Sequence, residues 1–356
     1  MILLIFAAVF VVACAPAPPS PTAAPPTPAL TGAPATPVAP ARSPAAANGA
    51  FNLGRSEDVK ESYAHVSTSN TVRDIVDHPA FEGFGRFILP LERGYDADMP
   101  LTRVGALLPY HSNVKPGEVV NAINTMIDEA NDGRTIFYDF YTDAQKGKAP
   151  DKESTGLFFF RGKPGAPFAV VCPGGGFAYV GSVHEGFPHA IALRQKGYNA
   201  FVLQYRVGGE RIAAEDLAAA LSYIFENAAT LAVSTKDYSL WGSSAGARMV
   251  ARIGSYGAPA YGGEAIPRPS TVVMAYTGHT DFTKGDPPTF AVVGDRDEIA
   301  SAATMERRIN SLRSAGIAVE FHVYQNVGHG FGLGIGTTAA GWVDDATRFW
   351  ESNMSG

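Results

Sequence analysis

The chain has 356 residues and a formal net charge of −6, with 28 Lys and Arg against 34 Asp and Glu. No stretch concentrates the basic residues, which argues against nucleic acid as a partner. Two cysteines are too few for a disulfide scaffold, and no Cys/His cluster has zinc spacing.

Met1 to Ala13 is wholly apolar. It is shorter than the ~20 residues a membrane span needs and fits the apolar part of an export signal. It ends Val11-Val12-Ala13-Cys14, which resembles the lipidation motif of bacterial lipoproteins. The expectation is an exported protein, periplasmic or on the cell surface, held to the membrane by lipid on Cys14. No Lys or Arg precedes the apolar run, a departure from the usual signal pattern. One acyl chain anchors only marginally, so stable attachment would need several. Residues 15–50 are rich in Pro, Ala and Thr, and Arg42 is their only charge. Without apolar periodicity this stretch reads as a semi-extended linker.

Residues 51–150 read as an N-terminal extension followed by the first regular elements, and 151–356 as the core of an α/β domain. The stretch from Asn52 to Val114 is irregular, punctuated by Phe81, Phe84, Phe87, Tyr95 and Tyr110, and suits either a packed extension or part of a lid. A helix starts near Pro116, with Val119, Val120, Ile123, Met126 and Ile127 on one face, and stops at Asn131-Asp132-Gly133. Thr135–Tyr141 and Thr155–Arg161 read as an antiparallel strand pair. Phe168–Cys172, Ala200–Tyr205, Tyr238–Trp241, Thr271–Tyr276, Thr289–Val293 and Val319–Tyr324 read as further strands. Gly186–Lys196, Ile212–Asn227, Ala302–Ala315 and Gly341–Trp350 read as helices. Strands that alternate with helices in this way predict a mostly parallel central sheet with helices on both faces, whose sites gather at the strands' carboxyl ends.

The strand Tyr238–Trp241 runs into Gly242-Ser243-Ser244-Ala245-Gly246, and a helix-forming run beginning at Ala247 leaves it. In this setting a Gly-x-Ser-x-Gly turn lifts the middle serine clear of the sheet edge, so Ser244 is the candidate nucleophile. A serine hydroxyl is a poor nucleophile at neutral pH and needs a base, which in turn needs an orienting carboxylate. His329, in Val327-Gly328-His329-Gly330-Phe331, follows the last strand on a glycine-flanked loop and is the best base. His279 and His322 are its rivals, the latter placed inside a strand. Asp297, Asp295 and Asp281 all follow strands and are candidates for the acid. The loop Cys172-Pro173-Gly174-Gly175-Gly176-Phe177 follows a strand upstream. Its side-chain-free backbone can aim amides at a developing oxyanion, with Gly175, Gly176 and Ala245 as the donors. Phe177 and Tyr179 are candidates for substrate binding, and Cys172 is expected to be buried and inert. His184-Glu185 reads chiefly as a helix-start carboxylate that satisfies backbone amides.

From about Phe168 to Trp350 the chain resembles the α/β-hydrolase superfamily, and within it the bacterial acetylxylan-esterase and feruloyl-esterase-like carboxylesterases. The matching stretches include Cys172-Pro173-Gly174-Gly175-Gly176, Glu185-Gly186, Tyr205-Arg206, Glu215-Asp216, Gly242-Ser243-Ser244-Ala245-Gly246 and Gly328-His329-Gly330-Phe331. The resemblance favours Asp297 as the acid through the family's Gly-x-x-Asp habit. It implies a serine hydrolase that cleaves short-chain carboxylic esters by a Ser244-His329-Asp297 acyl-enzyme route, which requires neither a metal nor an organic cofactor. Acetylated or feruloylated carbohydrate is among the substrates it allows. A serine at the turn, where dienelactone hydrolases carry a cysteine and dehalogenases an aspartate, argues against those two chemistries. The alternatives are a serine peptidase of the prolyl-oligopeptidase type, though no propeller domain precedes the core, and a non-catalytic surface lipoprotein.

Overall fold

Runs of Val, Phe, Ala and Leu without polar interruption form the middle of one sheet, because strands covered on both faces have no solvent side to mark with polar residues. The structure, a computed structural model, describes residues 62–355. The apolar start, Cys14 and the Pro/Ala-rich linker lie outside the described residues. Among the described residues no helix is long and apolar enough to cross a membrane.

In chain order the regular elements are α1 (Val72–Val76), α2 (Pro116–Asn131), β1 (Phe137–Tyr138), α3 (Asp143–Lys148), β2 (Gly156–Phe160) and β3 (Pro167–Cys172). Then come α4 (Phe187–Gln195), β4 (Asn199–Gln204), α5 (Glu210–Glu226), α6 (Ala228–Leu231), β5 (Ser234–Ser243) and α7 (Ala245–Tyr256). The chain closes with β6 (Thr271–Ala275), β7 (Thr289–Gly294), α8 (Ala302–Ser314), β8 (Val319–Tyr324) and α9 (Trp342–Ser352). The eight strands form one sheet in the order β1-β2-β4-β3-β5-β6-β7-β8. β1 with β2 and β2 with β4 are antiparallel, and every later pairing is parallel.

The first strand is shorter than its sequence suggested. Beyond Tyr138 the chain turns inward to bury Phe140 and Tyr141, and the Tyr141 hydroxyl donates to Asp216 at 2.7 Å. β5 is longer than expected, since its Ser234 end also pairs with Pro167 of β3. Phe158, Phe159 and Phe160 are buried together on the two faces of β2. Phe159 stacks on Phe201 at 4.3 Å between centroids, and Phe158 meets Phe187 edge-on at 4.8 Å. Burial of each such ring contributes about 2 kcal/mol.

All the described residues belong to one unit. The irregular N-terminal stretch is a chain of short turns around α1, and it buries Val72, Ile75, Phe81, Ile88, Leu101 and Val104. A capping box between Thr71 and Asp74 starts α1. α2 packs by Val119, Ala122, Ile123, Met126 and Ile127. The stretch is thus a packed extension of the core. After α1 its chain leads to Tyr110, His111 and Ser112, and the Ser112 N–H donates to the carbonyls of His329 and Gly330, each at 3.1 Å.

Candidate active site

Register brings the strand ends level with one another. Cys172 of β3 lies opposite Gly242 of β5, and Ser243 lies opposite Ala275 of β6. Where β5 ends, Ser244 takes φ 50° and ψ −112°, and its N–H donates to the Ala275 carbonyl at 2.9 Å. A non-glycine residue in this region stores about 1–3 kcal/mol of strain, which the sheet on one side and α7 on the other must hold. Gly246 makes the sharp turn feasible, since a Cβ there would lie 1.9 Å from the Cys172 carbonyl oxygen. The close approach of α7 to β3 therefore leaves no room for any side chain.

The other groups arrive from β7 and β8. His329 Nε2 is 2.9 Å from Ser244 Oγ, and His329 Nδ1 is 2.8 Å from Asp297 Oδ2. The carboxylate accepts at Nδ1, so that nitrogen carries the proton, and Nε2 presents its lone pair to the serine hydroxyl. Asp297 Oδ1 also accepts the N–H groups of Ile299 at 2.9 Å and Ala300 at 2.6 Å, which locks the carboxylate in place. The side chains of Asp297 and His329 are buried, whereas Ser244 opens onto a cleft.

Other candidate residues lie elsewhere. Asp295 is exposed and accepts the Asn326 N–H at 2.6 Å, closing a turn. Asp281 is bound by Arg252 at 2.6 Å and by the Tyr256 hydroxyl at 2.7 Å. His322 pairs with Glu320 on the edge strand. His279 is buried, and burial together with the charges of Arg308 and Arg252 pushes its ring down to about 4.

The glycine loop after β3 curls over the serine. Gly175 and Gly176 have φ of 134° and 64°, a backbone course that side chains oppose. The N–H of Gly174 is taken by Glu185 Oε2 at 2.7 Å. The N–H groups of Gly175, Gly176 and Ala245 have no acceptor among the described residues. A cleft of about 360 Å³ opens here, bounded by Gly176, Phe177, Ser244, Ala245 and His329. Its far wall carries the charged Glu210 and Arg248, Thr277, Ile299 and Ala300. Glu210 holds Arg248 at 3.3 Å and Arg252 at 2.7 Å.

Phe177 therefore lines the cleft, but Tyr179 does not, which corrects the expectation of a substrate contact there. Tyr179 is fully buried, its ring stacks beneath Tyr110 at 5.7 Å, and its hydroxyl is engaged by the Tyr110 N–H and by His111. Tyr110, 41% exposed, occupies the surface position above it. Cys172 is buried and unpaired, and burial pushes its thiol well up, so it is not a nucleophile at neutral pH. Glu185 is buried against a backbone amide, as its position at a helix start suggested. Its partner is His111, with Nε2 3.1 Å from Glu185 Oε2. Nothing in the sequence near Tyr110-His111-Ser112 marked that histidine, because its partners come from a distant segment. Tyr276, which follows β6, packs edge-on against the His329 ring at 5.1 Å.

A BD-FAE family model matches residues 161–260, and the dienelactone hydrolase family model matches residues 211–334. No curated protein matches this chain. Solved structures are similar in fold. The acetyl ester-xyloside bifunctional hydrolase from Caldicellulosiruptor lactoaceticus is 19% identical at a TM-score of 0.50, covering 56% of this chain and 88% of that one. The carboxylesterase Cest-2923 from Lactobacillus plantarum is also 19% identical at a TM-score of 0.50, covering 57% of this chain and 94% of that one. The propionate-bound esterase Est2 of Thermogutta terrifontis is 18% identical at the same TM-score, covering 57% and 91% respectively. At these identities the likeness is one of fold, and the fold is that of the α/β hydrolases.

Proposed function

We propose that this chain, a carboxylic ester hydrolase of α/β-hydrolase fold, cleaves short-acyl esters by a two-step acyl transfer through Ser244. The observation that carries the reading is the continuous chain Asp297–His329–Ser244, at 2.8 and 2.9 Å, beside three amides without an acceptor. In the first step His329 Nε2 takes the Ser244 proton as Oγ attacks the ester carbonyl carbon. The carbonyl oxygen becomes an oxyanion held by the N–H groups of Gly175, Gly176 and Ala245. Collapse expels the alcohol, which receives the proton from His329. Water then attacks the acyl-enzyme with His329 again as base, and the acid product leaves. Asp297 stays ionised and steadies the imidazolium.

The cleft supports a short acyl group and a polar alcohol. Glu210, Arg248 and Thr277 line it beside Phe177 and Ile299, and a long alkyl chain would have to cover those charges at a desolvation cost. The resemblance to acetylxylan and feruloyl esterases favours a decorated carbohydrate as the alcohol. The Caldicellulosiruptor protein of similar fold, an acetyl ester-xyloside hydrolase, is consistent with that class. Export and lipid attachment at Cys14 complete the proposal and suit an enzyme that meets polymeric substrate outside the cell.

Hydrolysis of p-nitrophenyl acetate, butyrate and octanoate by the full chain, with Ser244→Ala measured beside it, tests the reading. A Ser244-dependent rate that falls steeply with chain length is expected. Ester hydrolysis undiminished in Ser244→Ala would overturn it. Extraction into detergent of the wild type but not of Cys14→Ala tests the anchor.

A further inference from the structure

The cleft does not use one buried ionic cluster that lies directly behind it. Glu185 is fully buried, and the His111 side chain is 2% exposed. Around them His111 Nδ1 is 2.9 Å from the Tyr179 hydroxyl, His111 Nε2 is 3.1 Å from Glu185 Oε2, and the same oxygen accepts the Gly174 N–H at 2.7 Å. The Tyr179 oxygen also accepts the Tyr110 N–H at 3.2 Å. His111 Nε2 lies within ion-pair distance of the carboxylate, so Tyr110, Tyr179, His111, Glu185 and Gly174 form one buried contact series. Burial alone would push Glu185 up, but the His111 ring outweighs it and holds the carboxyl down to about 2, so Glu185 is a carboxylate at neutral pH.

The cluster reaches both halves of the reaction centre. On one side it ends at Gly174, one peptide unit before the Gly175 and Gly176 amides. On the other, the segment that carries His111 is bonded through the Ser112 N–H to the carbonyls of His329 and Gly330. It passes so close that a Cβ on Gly330 would lie 2.7 Å from His111 Cα. His184, edge-on to His111 at 5.4 Å, adds a bond from its Nε2 to the Gly330 carbonyl at 2.9 Å.

We infer that His111 is a positioning residue for the ester hydrolysis: by fixing Glu185 against the Gly174 amide it sets the direction of the Gly175 and Gly176 amides that receive the oxyanion. The inference rests on the acyl-enzyme reading of Ser244 given above. Its physical basis is that an oxyanion hole works only when its donors are held in place before the charge develops. A run of three glycines has little stiffness of its own. The N-terminal extension adds stiffness through the His111–Glu185 contact, which is sealed from water, where electrostatic attraction is strong.

The test uses the full chain, with reactive Ser244 titrated by a fluorophosphonate so that kcat is expressed per competent site. His111→Ala is expected to lower kcat for p-nitrophenyl acetate by roughly 10- to 100-fold, short of the roughly 10²- to 10³-fold that outright loss of one oxyanion donor costs. KM should stay within about twofold, because the interaction acts in the transition state and not on bound ester. Affinity for a trifluoromethyl ketone, whose adduct carries an oxyanion, should fall by a similar factor. His111→Gln, whose amide N–H can still reach Glu185, should recover most of the loss. If His111→Ala does not fold, Tyr179→Phe removes only the hydroxyl that aims the ring and should lower kcat in the same way by a smaller factor. An unchanged kcat per titrated serine, a loss confined to KM, or failure of His111→Gln to recover would each overturn the inference. Ser244→Ala run in parallel separates the two claims. If it is inactive while His111→Ala keeps full kcat, only the positioning role falls; if it retains activity, the acyl-enzyme reading falls and the positioning role with it.

Discussion

Among the described residues the same three groups, a hydroxyl, an imidazole and a buried carboxylate, stand side by side in two places. In Ser244–His329–Asp297 the distances are 2.9 and 2.8 Å, and in Tyr179–His111–Glu185 they are 2.9 and 3.1 Å. The first set stands at the ends of β5, β7 and β8, and its hydroxyl opens onto the cleft. The second is sealed beneath Tyr110, and its hydroxyl belongs to a phenol held in a buried stack. Composition therefore does not distinguish the two sets. Access to the cleft and the amides without an acceptor beside the Ser244 oxygen do.

The largest expected break in that comparison is Ser244→Ala. It should lower kcat by about 10³-fold or more while the fold persists, because nucleophile, base and acid act as one unit. The thermal midpoint, read beside the rate, separates lost chemistry from lost structure. Asp297→Asn comes next. Its Oδ1 can still accept the Ile299 and Ala300 amides, but an amide in place of Oδ2 can present a donor to Nδ1 and favour the wrong tautomer. A kcat loss of up to about 10⁴-fold, still short of that of Ser244→Ala, is expected. Acid should also weaken the sealed region. Burial holds the rings of His184, His189 and His279 down to about 4, against 6.5 when free. Between those values the unfolded chain binds the protons and the folded one does not. Stability is therefore full above about pH 6.5 and falls as pH is lowered toward 4, by about 1.4 kcal/mol per pH unit for each ring that stays neutral. Calorimetry from pH 7 to 4.5 should show a falling midpoint, and a flat one would mean these rings are protonated in the fold. The smallest effect belongs to Asp295→Asn. This carboxylate closes an exposed turn and touches neither histidine, so kcat should change by less than about threefold. A loss matching that of Asp297→Asn would mean the acid has been assigned to the wrong neighbour.

Legibility followed the range of the interaction. The strand, the Gly-x-Ser-x-Gly turn and the helix of α7 are consecutive in the chain, so Ser244 could be singled out from local pattern. His329 and the glycine loop were readable for the same reason, since each directly follows an apolar run. Tyr179 was misplaced because an aromatic residue next to a glycine loop fits a cleft wall and a buried stack equally well. Only the course of the N-terminal extension, which brings Tyr110 over it, settles which. His111 carried no local mark at all.

The sequence by itself determined the α/β alternation, the mostly parallel sheet, the chain order of Ser244, Asp297 and His329, and the glycines that give the turn at Ser244 and the loop after β3 their backbone course. These depend on periodicity and on steric limits within a few residues. The tertiary structure decided which of three carboxylates meets His329, which aromatic faces the cleft, and which buried pair lies against the Gly174 amide. Those outcomes turn on angstrom-scale distances between side chains far apart in the chain, and packing of the whole domain sets them.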